Sequence, residues 1–318
     1  FDKPENVVFT LNCTQGINQA VKGVLRMGDH VVISSLEHNA VYRPLEALRR
    51  AGMITLDIAP VDTECPENTV RAFEACMTPK TRLVCCIHGS NVFGTLQPAE
   101  RLCALAHEHG ALFLLDAAQT AGLVDIDMSG ALPADFVCLA CHKGLYAPTA
   151  LGALVVGTDT PICTLLEGGS GSLSLEAEMP PFLPDRLEAG TVNTTGIAGL
   201  LGGLQFLRRQ PRLYENEMTL THFLFDRLAC IPDVILYRRP ALPVFSFGIR
   251  DMTGEAVADA LARRGFALRG GFHCSPLAHR AMGTIETGTA RVSLGAFNTM
   301  PQVQALLRAV DTVRRTGQ

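Results

Sequence analysis

Asp116 and Lys143 have the types and settings that pyridoxal chemistry demands. That chemistry needs a lysine amine to form a Schiff base. It also needs a carboxylate to keep a pyridine nitrogen protonated, so that the ring can accept electrons. Asp116 closes an apolar run in Leu114-Leu115-Asp116-Ala117-Ala118-Gln119, and Lys143 follows the apolar run Phe136 to Ala140 in Cys141-His142-Lys143-Gly144. Each stands at the C-terminal end of a predicted strand, where open α/β sheets place their ligands. In isolation Asp116 fits a helix cap equally well, and a lysine is ordinarily a solvated surface residue. The mostly apolar stretch from Phe136 to Ala153 sets Lys143 apart. Burial there would lower its pKa and favour Schiff-base chemistry.

Other segments carry weaker signals. Asn12-Cys13-Thr14-Gln15-Gly16-Ile17-Asn18 follows a strand and opens a helix. Its amides and the Thr14 hydroxyl suit a phosphate, although a threonine at such a junction is more often an N-cap. His38, in Glu37-His38-Asn39, could stack on a planar ring or be a polar loop residue. Asn91 could donate to a cofactor hydroxyl or a substrate carboxylate, or close an Asx-turn. Gln119 could hold the ring's phenolic oxygen, and His142 puts a donor beside Lys143. In Arg269-Gly270-Gly271-Phe272-His273-Cys274-Ser275, Cys274 has the company of a lowered-pKa nucleophile, yet one thiol among 11 cysteines is commonly unreactive. Arg291, inside a strand pattern, could grip a carboxylate with its guanidinium or form a surface ion pair.

Alternating elements must position these groups. Strand-like runs at Val7–Asn12, His30–Ser34, Ile54–Ile58, Leu83–His88, Ala111–Asp116, Phe136–Ala140 and Ala153–Val156 alternate, in the first half, with helical patterns such as Gln15–Met27 and Pro98–His109. This repetition predicts an α/β fold, a large domain with a mostly parallel sheet and helices on both faces. Region 167–195, rich in glycine and proline, reads as a long functional loop. Beyond about Val234, strands and helices alternate as a small C-terminal α+β domain. The expected domains are 1–212 and 213–318.

Composition limits the function classes. The chain has 318 residues, 47% hydrophobic and 18% charged, with a net charge of −4. No basic footprint marks a nucleic-acid partner. The longest apolar runs are strand-sized, far below the roughly 20 residues of a membrane helix. The scattered cysteines read as reduced thiols of a cytoplasmic enzyme, not a disulfide framework. His-rich metal spacing is absent, so no structural metal site is expected. The chain opens at Phe1 without methionine, which suggests that a leading segment is missing.

Taken together, these segments resemble the class V, fold-type I pyridoxal phosphate enzymes, and within them the cysteine desulfurase and selenocysteine lyase group. The specific parts are Thr14-Gln15-Gly16-Ile17-Asn18, Glu37-His38, Ser90-Asn91-Val92-Phe93-Gly94-Thr95, Asp116-Ala117-Ala118-Gln119, His142-Lys143, Glu188-Ala189-Gly190-Thr191 and His273-Cys274. The resemblance implies pyridoxal 5′-phosphate as cofactor, with Lys143 as the Schiff-base lysine and Asp116 on the pyridine nitrogen. It implies Gln119 on the phenolic oxygen, His38 stacked on the ring, and Thr14 and His142 on the phosphate. It also implies a homodimer in which Thr191 reaches the other subunit's phosphate. Asn91 and Arg291 would hold the substrate carboxylate. Cys274 would take sulfur from L-cysteine as a persulfide, leave alanine, and pass the sulfur to an acceptor, either an acceptor protein or simple thiols. The sequence departs from the family pattern at Ala140, where a serine is common, and at Cys141 and Cys13, which replace small or hydroxyl residues. These departures bear on the phosphate site. Selenocysteine lyase, a class V aminotransferase that has no use for Cys274, and a non-catalytic relative remain as other readings.

Overall fold

The apolar runs form strands in the predicted order. The structure, a computed structural model, describes residues 3–317, and Phe1, on which the expectation of a missing leading segment rests, lies outside them. The chain divides into two compact units. One comprises Phe1–His88 and Gln97–Arg209, the other Gly89–Leu96 and Gln210–Gln318.

The first unit contains β1 (Val7–Thr10), α1 (Cys13–Val24), β2 (Asp29–Ser34), α2 (Asn39–Arg50), β3 (Ile54–Ala59), α3 (Pro66–Cys76) and β4 (Thr81–Ile87). These are followed by α4 (Ala99–Glu108), β5 (Leu112–Asp116), β6 (Phe136–Ala140), β7 (Gly152–Val156) and α5 (Thr194–Arg208). Its seven strands lie in the order β1-β7-β6-β5-β4-β2-β3. Strands β3, β2, β4, β5 and β6 run parallel, and β7 is antiparallel to both β6 and β1. Every residue of β5 is buried, as expected of a strand covered on both faces. Val84, Cys86, Phe113 and Leu115 share a core with Phe73 of α3 and Leu102 of α4. On the opposite face α1 crosses β6 and β7. A Cβ on Gly16 would stand 3.5 Å from the Leu154 Cβ and 3.8 Å from the Cys138 Sγ. Helix α1 begins at Cys13, earlier than the pattern predicts, because Asn12 Oδ1 accepts the Gln15 N–H at 2.9 Å. Thr14 therefore sits in the first turn, not at the cap. Residues 157–193 form neither helix nor strand.

The second unit contains α6 (Leu213–Leu228), β8 (Val234–Leu236), β9 (Val244–Ile249), α7 (Gly254–Ala262), β10 (Arg269–Gly271), α8 (Pro276–Ala281), β11 (Thr289–Ser293) and α9 (Met300–Thr316). Its antiparallel sheet has the order β10-β11-β9-β8. Phe245, Phe247, Val257, Leu261, Leu306 and Val310 lie in its core. Segment Gly89–Leu96 joins this unit, although it lies far upstream in sequence. Ser246 Oγ donates to the Val92 carbonyl at 2.8 Å, and the Ala241 N–H donates to the Gly94 carbonyl at 2.8 Å. Gly94 has φ +66°, and a Cβ there would meet the Val244 carbonyl oxygen at 2.0 Å. Only glycine permits that approach.

Candidate active site

The adjacent parallel strands β4 and β5 of the first unit end together, and β6 beside them runs two residues further. In register, Asp116 of β5 stands beside Ile87 of β4 and Cys138 of β6. Asp116 is 2% exposed. Its Oδ1 accepts the Ala118 N–H at 2.9 Å and the Cys13 thiol at 3.6 Å. Oδ2 accepts no hydrogen bond from any described residue. No helix follows Asp116 directly, so the helix-cap reading does not apply. Burial, and then the Asp116 charge, push the Cys13 thiol well above its ordinary pKa, so it remains a donor.

Lys143 lies in the turn after β6, its N–H on the Ala140 carbonyl at 3.2 Å. It is half-buried, less enclosed than its apolar surroundings in sequence suggest. Its charge lowers the pKa of both Cys13 and His142. His142 is exposed, and its pKa is lowered by partial burial and by Lys143. Thr14 is exposed in the first turn of α1, and Gln119 is half-buried in the turn after β5. Thr191 is exposed, between the long loop and α5.

His38 caps α2: its Nδ1 accepts the Ala40 N–H at 3.0 Å, which leaves Nε2 to carry the proton in the neutral ring. Beside it, Glu37 is fully buried. Its Oε1 accepts the Ser34 hydroxyl at 2.5 Å and the Ile87 N–H at 2.7 Å, so it ties the ends of β2 and β4 together. Its Oε2 is buried without a partner. Burial is the main cause that raises its pKa to about 8, with the Asp116 charge adding to it. Sequence reasoning passed over this role. A carboxylate directly after a buried apolar run was the available signal.

A buried carboxylate with one uncommitted oxygen, one strand away from a lysine, is the donor set that a protonated pyridine nitrogen and an aldehyde require. These residues fit pyridoxal 5′-phosphate. Thr14 and the first-turn amides of α1 could receive its phosphate. Among the described residues no group of three or more His, Cys, Asp or Glu is placed to hold a metal ion. Cys138 and Cys141 do stand at Cys-x-x-Cys spacing, which the reading of the sequence overlooked. They serve different faces of the sheet: Cys141 joins the α3–α4 core and Cys138 faces α1. Both are free.

Cys274, Asn91 and Arg291 lie in the second unit. Cys274 is exposed, with its Sγ 3.7 Å from Arg269 Nη2. His273 and Cys274 have φ values of +51° and +60°, a left-handed backbone that costs of order 1–3 kcal/mol per non-glycine residue. Hydrogen bonds hold it. Asn91 Nδ2 donates to the His273 carbonyl at 2.8 Å, and Ser275 Oγ donates to Asn91 Oδ1 at 2.7 Å. Asn91 therefore forms no Asx-turn with its own backbone; its amide spans the Cys274 loop, a link not foreseen from sequence. His273 Nε2 lies 3.1 Å from both the Thr289 carbonyl oxygen and Oγ1. Burial, and then Arg291, hold the His273 pKa down at about 3, so the ring is neutral near pH 7. Arg291 Nη1 donates to the Asn91 carbonyl at 3.0 Å, while its Nε is buried and unpartnered. Arg291 forms no ion pair among the described residues, so the surface-pair reading fails.

A family-wide profile described as aminotransferase class-V matches residues 1–306. This chain belongs to the aminotransferase class-V family. It is 32% identical to a cysteine desulfurase from Klebsiella pneumoniae, with 98% of this chain and 78% of that protein covered. It is 31% identical to a probable cysteine desulfurase from Methanothermobacter thermautotrophicus, with 98% and 80% covered. Against a longer probable cysteine desulfurase from Mycolicibacterium paratuberculosis, 32% identical, the chain spans 47% of the relative's length. The fold superimposes on a crystal structure of a cysteine desulfurase from Escherichia coli with a TM-score of 0.90, at 26% identity over 99% of this chain and 80% of that one. The family's fold therefore accounts for the seven-stranded sheet and its flanking helices.

Proposed function

We propose that this chain is a pyridoxal 5′-phosphate-dependent cysteine desulfurase that converts L-cysteine to L-alanine and leaves sulfur as a persulfide on Cys274. One observation carries the reading. The unit that presents an exposed thiol beside Arg269 also holds Arg291, a partly desolvated guanidinium with no ion pair among the described residues and an unpartnered Nε, suited to a substrate carboxylate. When bound, the cofactor supplies an electron sink for the bond changes at the substrate α-carbon.

The chain's own residues do the rest. Lys143 would hold the cofactor aldehyde, and its amine would take the substrate α-proton. The Asp116 carboxylate would keep the ring nitrogen protonated, while its Oδ1 stays committed to Ala118 and Cys13. Gln119 and His38 would hold the ring, and Thr14 and His142 the phosphate. Arg291 and Asn91 orient the substrate carboxylate. The Cys274 thiolate attacks the substrate sulfur. An S–S bond forms, the substrate C–S bond breaks, and its electron pair takes a proton to complete alanine. The persulfide then passes to an acceptor protein.

We extend the reading to assembly and location. Helix α5 leaves Leu201 58% and Leu204 38% exposed, and Thr191 beside it is exposed too, which supports a homodimer whose cofactor sites are shared through Thr191. The 11 free cysteines support a cytoplasmic setting. No helix among the described residues is long and apolar enough to cross a membrane. Stretch 1–212 would act as the cofactor domain and 213–318 as the small domain.

The test is the reaction itself. Protein supplied with pyridoxal 5′-phosphate, L-cysteine and a reductant should release alanine and sulfide in equal amounts. Cys274→Ser should lower both by roughly 10²-fold or more, as expected when a nucleophile is removed, while cofactor binding is retained. Sulfide release at the wild-type rate from Cys274→Ser would remove Cys274 from the mechanism.

A further inference from the structure

We infer that Asn91, acting with Ser275, is a positioning residue that locks the Cys274 loop and ties it to Arg291. The inference rests on the desulfurase reading for the identity of the nucleophile; the lock itself rests on geometry. Ser275 is 0% and Asn91 4% exposed. A buried hydroxyl needs a partner, and the Ser275 hydroxyl donates only to Asn91 Oδ1, at 2.7 Å. It takes no part in capping α8, although Ser275 occupies the N-cap position. The other end of the same amide donates to the His273 carbonyl at 2.8 Å. One side chain thus grips the residues immediately before and after Cys274.

That grip selects a conformation. With His273 and Cys274 both at positive φ, relaxation of His273 would swing its carbonyl away from Asn91 Nδ2, and relaxation of Cys274 would shift Ser275 against Asn91 Oδ1. The bond closes on this left-handed conformation, in which Cys274 Sγ is exposed and 3.7 Å from Arg269. The backbone carbonyl of Asn91 accepts from Arg291 Nη1 at 3.0 Å. The nucleophile loop and the guanidinium proposed for the substrate carboxylate therefore share one anchor. Gly94 fixes that anchor in turn, through its close approach to Val244.

Ser275 separates this role from direct substrate contact, because its side chain bonds only to Asn91. The experiment uses the full chain without added cofactor and iodoacetamide as the probe, with alkylation of each thiol followed by peptide mass spectrometry. Cys163 and Cys230 are also exposed and serve as internal references. In Ser275→Ala the alkylation of Cys274 relative to these references should fall about two- to twelvefold, the span for one lost neutral hydrogen bond. Ser275→Thr, which keeps the hydroxyl, should stay within about twofold of wild type. Asn91→Ala, which loses both bonds, should show a larger fall, and it decides the matter if Ser275→Ala does not fold. In the loaded enzyme Ser275→Ala should lower kcat with KM within about twofold. An alkylation ratio that is unchanged or raised in both alanine variants overturns the lock. If wild type makes no alanine from L-cysteine, the functional reading fails, and the alkylation ratio still decides the lock.

Discussion

The strand-end site of the first unit and the Cys274 loop of the second hold their groups by different means. Asp116 and Lys143 are placed by backbone register. Parallel ladders fix β4, β5 and β6 side by side, and the reacting groups follow from where those strands end. Cys274 is placed by side chains, with Asn91, Ser275 and Thr289 holding two residues in a left-handed backbone. An electron-sink site gains from rigid, buried polar groups. A nucleophile that must hand sulfur onward has to stay exposed, so it cannot be fixed by burial. The two regions should therefore fail differently when perturbed.

The sharpest break is Lys143→Ala. Loss of the amine proposed to move the α-proton should lower alanine formation roughly 10²- to 10⁴-fold. Borohydride should no longer fix a pyridoxyl group to the chain. The alkylation of Cys274 relative to Cys163 and Cys230 should stay at its wild-type value, because Lys143 belongs to the other unit. Rates measured on both reactions check this. If the thiol's reactivity also collapsed, the two regions would not be separate devices.

A smaller effect is expected at Glu37, which makes the first region pH-sensitive. The folded protein keeps a proton on Glu37 up to about pH 8, whereas the unfolded chain releases it near the ordinary glutamate value of 4.5. The folded state thus binds more protons across that interval, and stability falls as pH rises through it. His88 and His273 act in the opposite sense. Burial holds them at about 4 and about 3, below the ordinary 6.5, so they add stability as pH rises towards 6.5. Between 6.5 and 8 the Glu37 contribution stands alone among these three. Glu37→Gln keeps an oxygen for Ser34 and Ile87 but has no proton to lose. Its urea midpoint should therefore decline less than that of wild type from pH 6.5 to 8, by an amount that grows with pH. Parallel midpoint curves would show that the buried carboxyl is not the titrating group.

Much of the first region was legible in the sequence because β5 and β6 are near-continuous apolar runs that end in polar residues. The Asp116 and Lys143 positions follow from that pattern alone. The second region was legible only as residue types. Arg269, His273, Cys274 and Arg291 stand out as chemistry, but nothing local says that Asn91 grips both neighbours of Cys274. That contact spans more than 180 positions of chain. The same distance hid segment Gly89–Leu96, whose place in the second unit depends on Gly94 passing the Val244 carbonyl. Glu37 escaped notice for a different reason: a carboxylate after a strand reads as a solvated loop residue until its burial is seen.

The smallest effect is expected at Cys13, and it decides how far backbone register suffices in the first region. The Cys13 thiol is a weak donor, and it shares Asp116 Oδ1 with the stronger Ala118 N–H. Oδ2, the oxygen proposed for the ring nitrogen, does not accept from it. Cys13→Ala should therefore change the Kd for pyridoxal 5′-phosphate by no more than about threefold, a fraction of one hydrogen bond's net worth. Asp116→Asn removes the charge itself and should weaken binding more. Both follow from titrating the cofactor-free protein and reading absorbance. A tenfold or larger rise in Kd for Cys13→Ala would mean that the carboxylate depends on a side-chain lock much as Cys274 does, and the contrast between the two regions would then lie in burial alone.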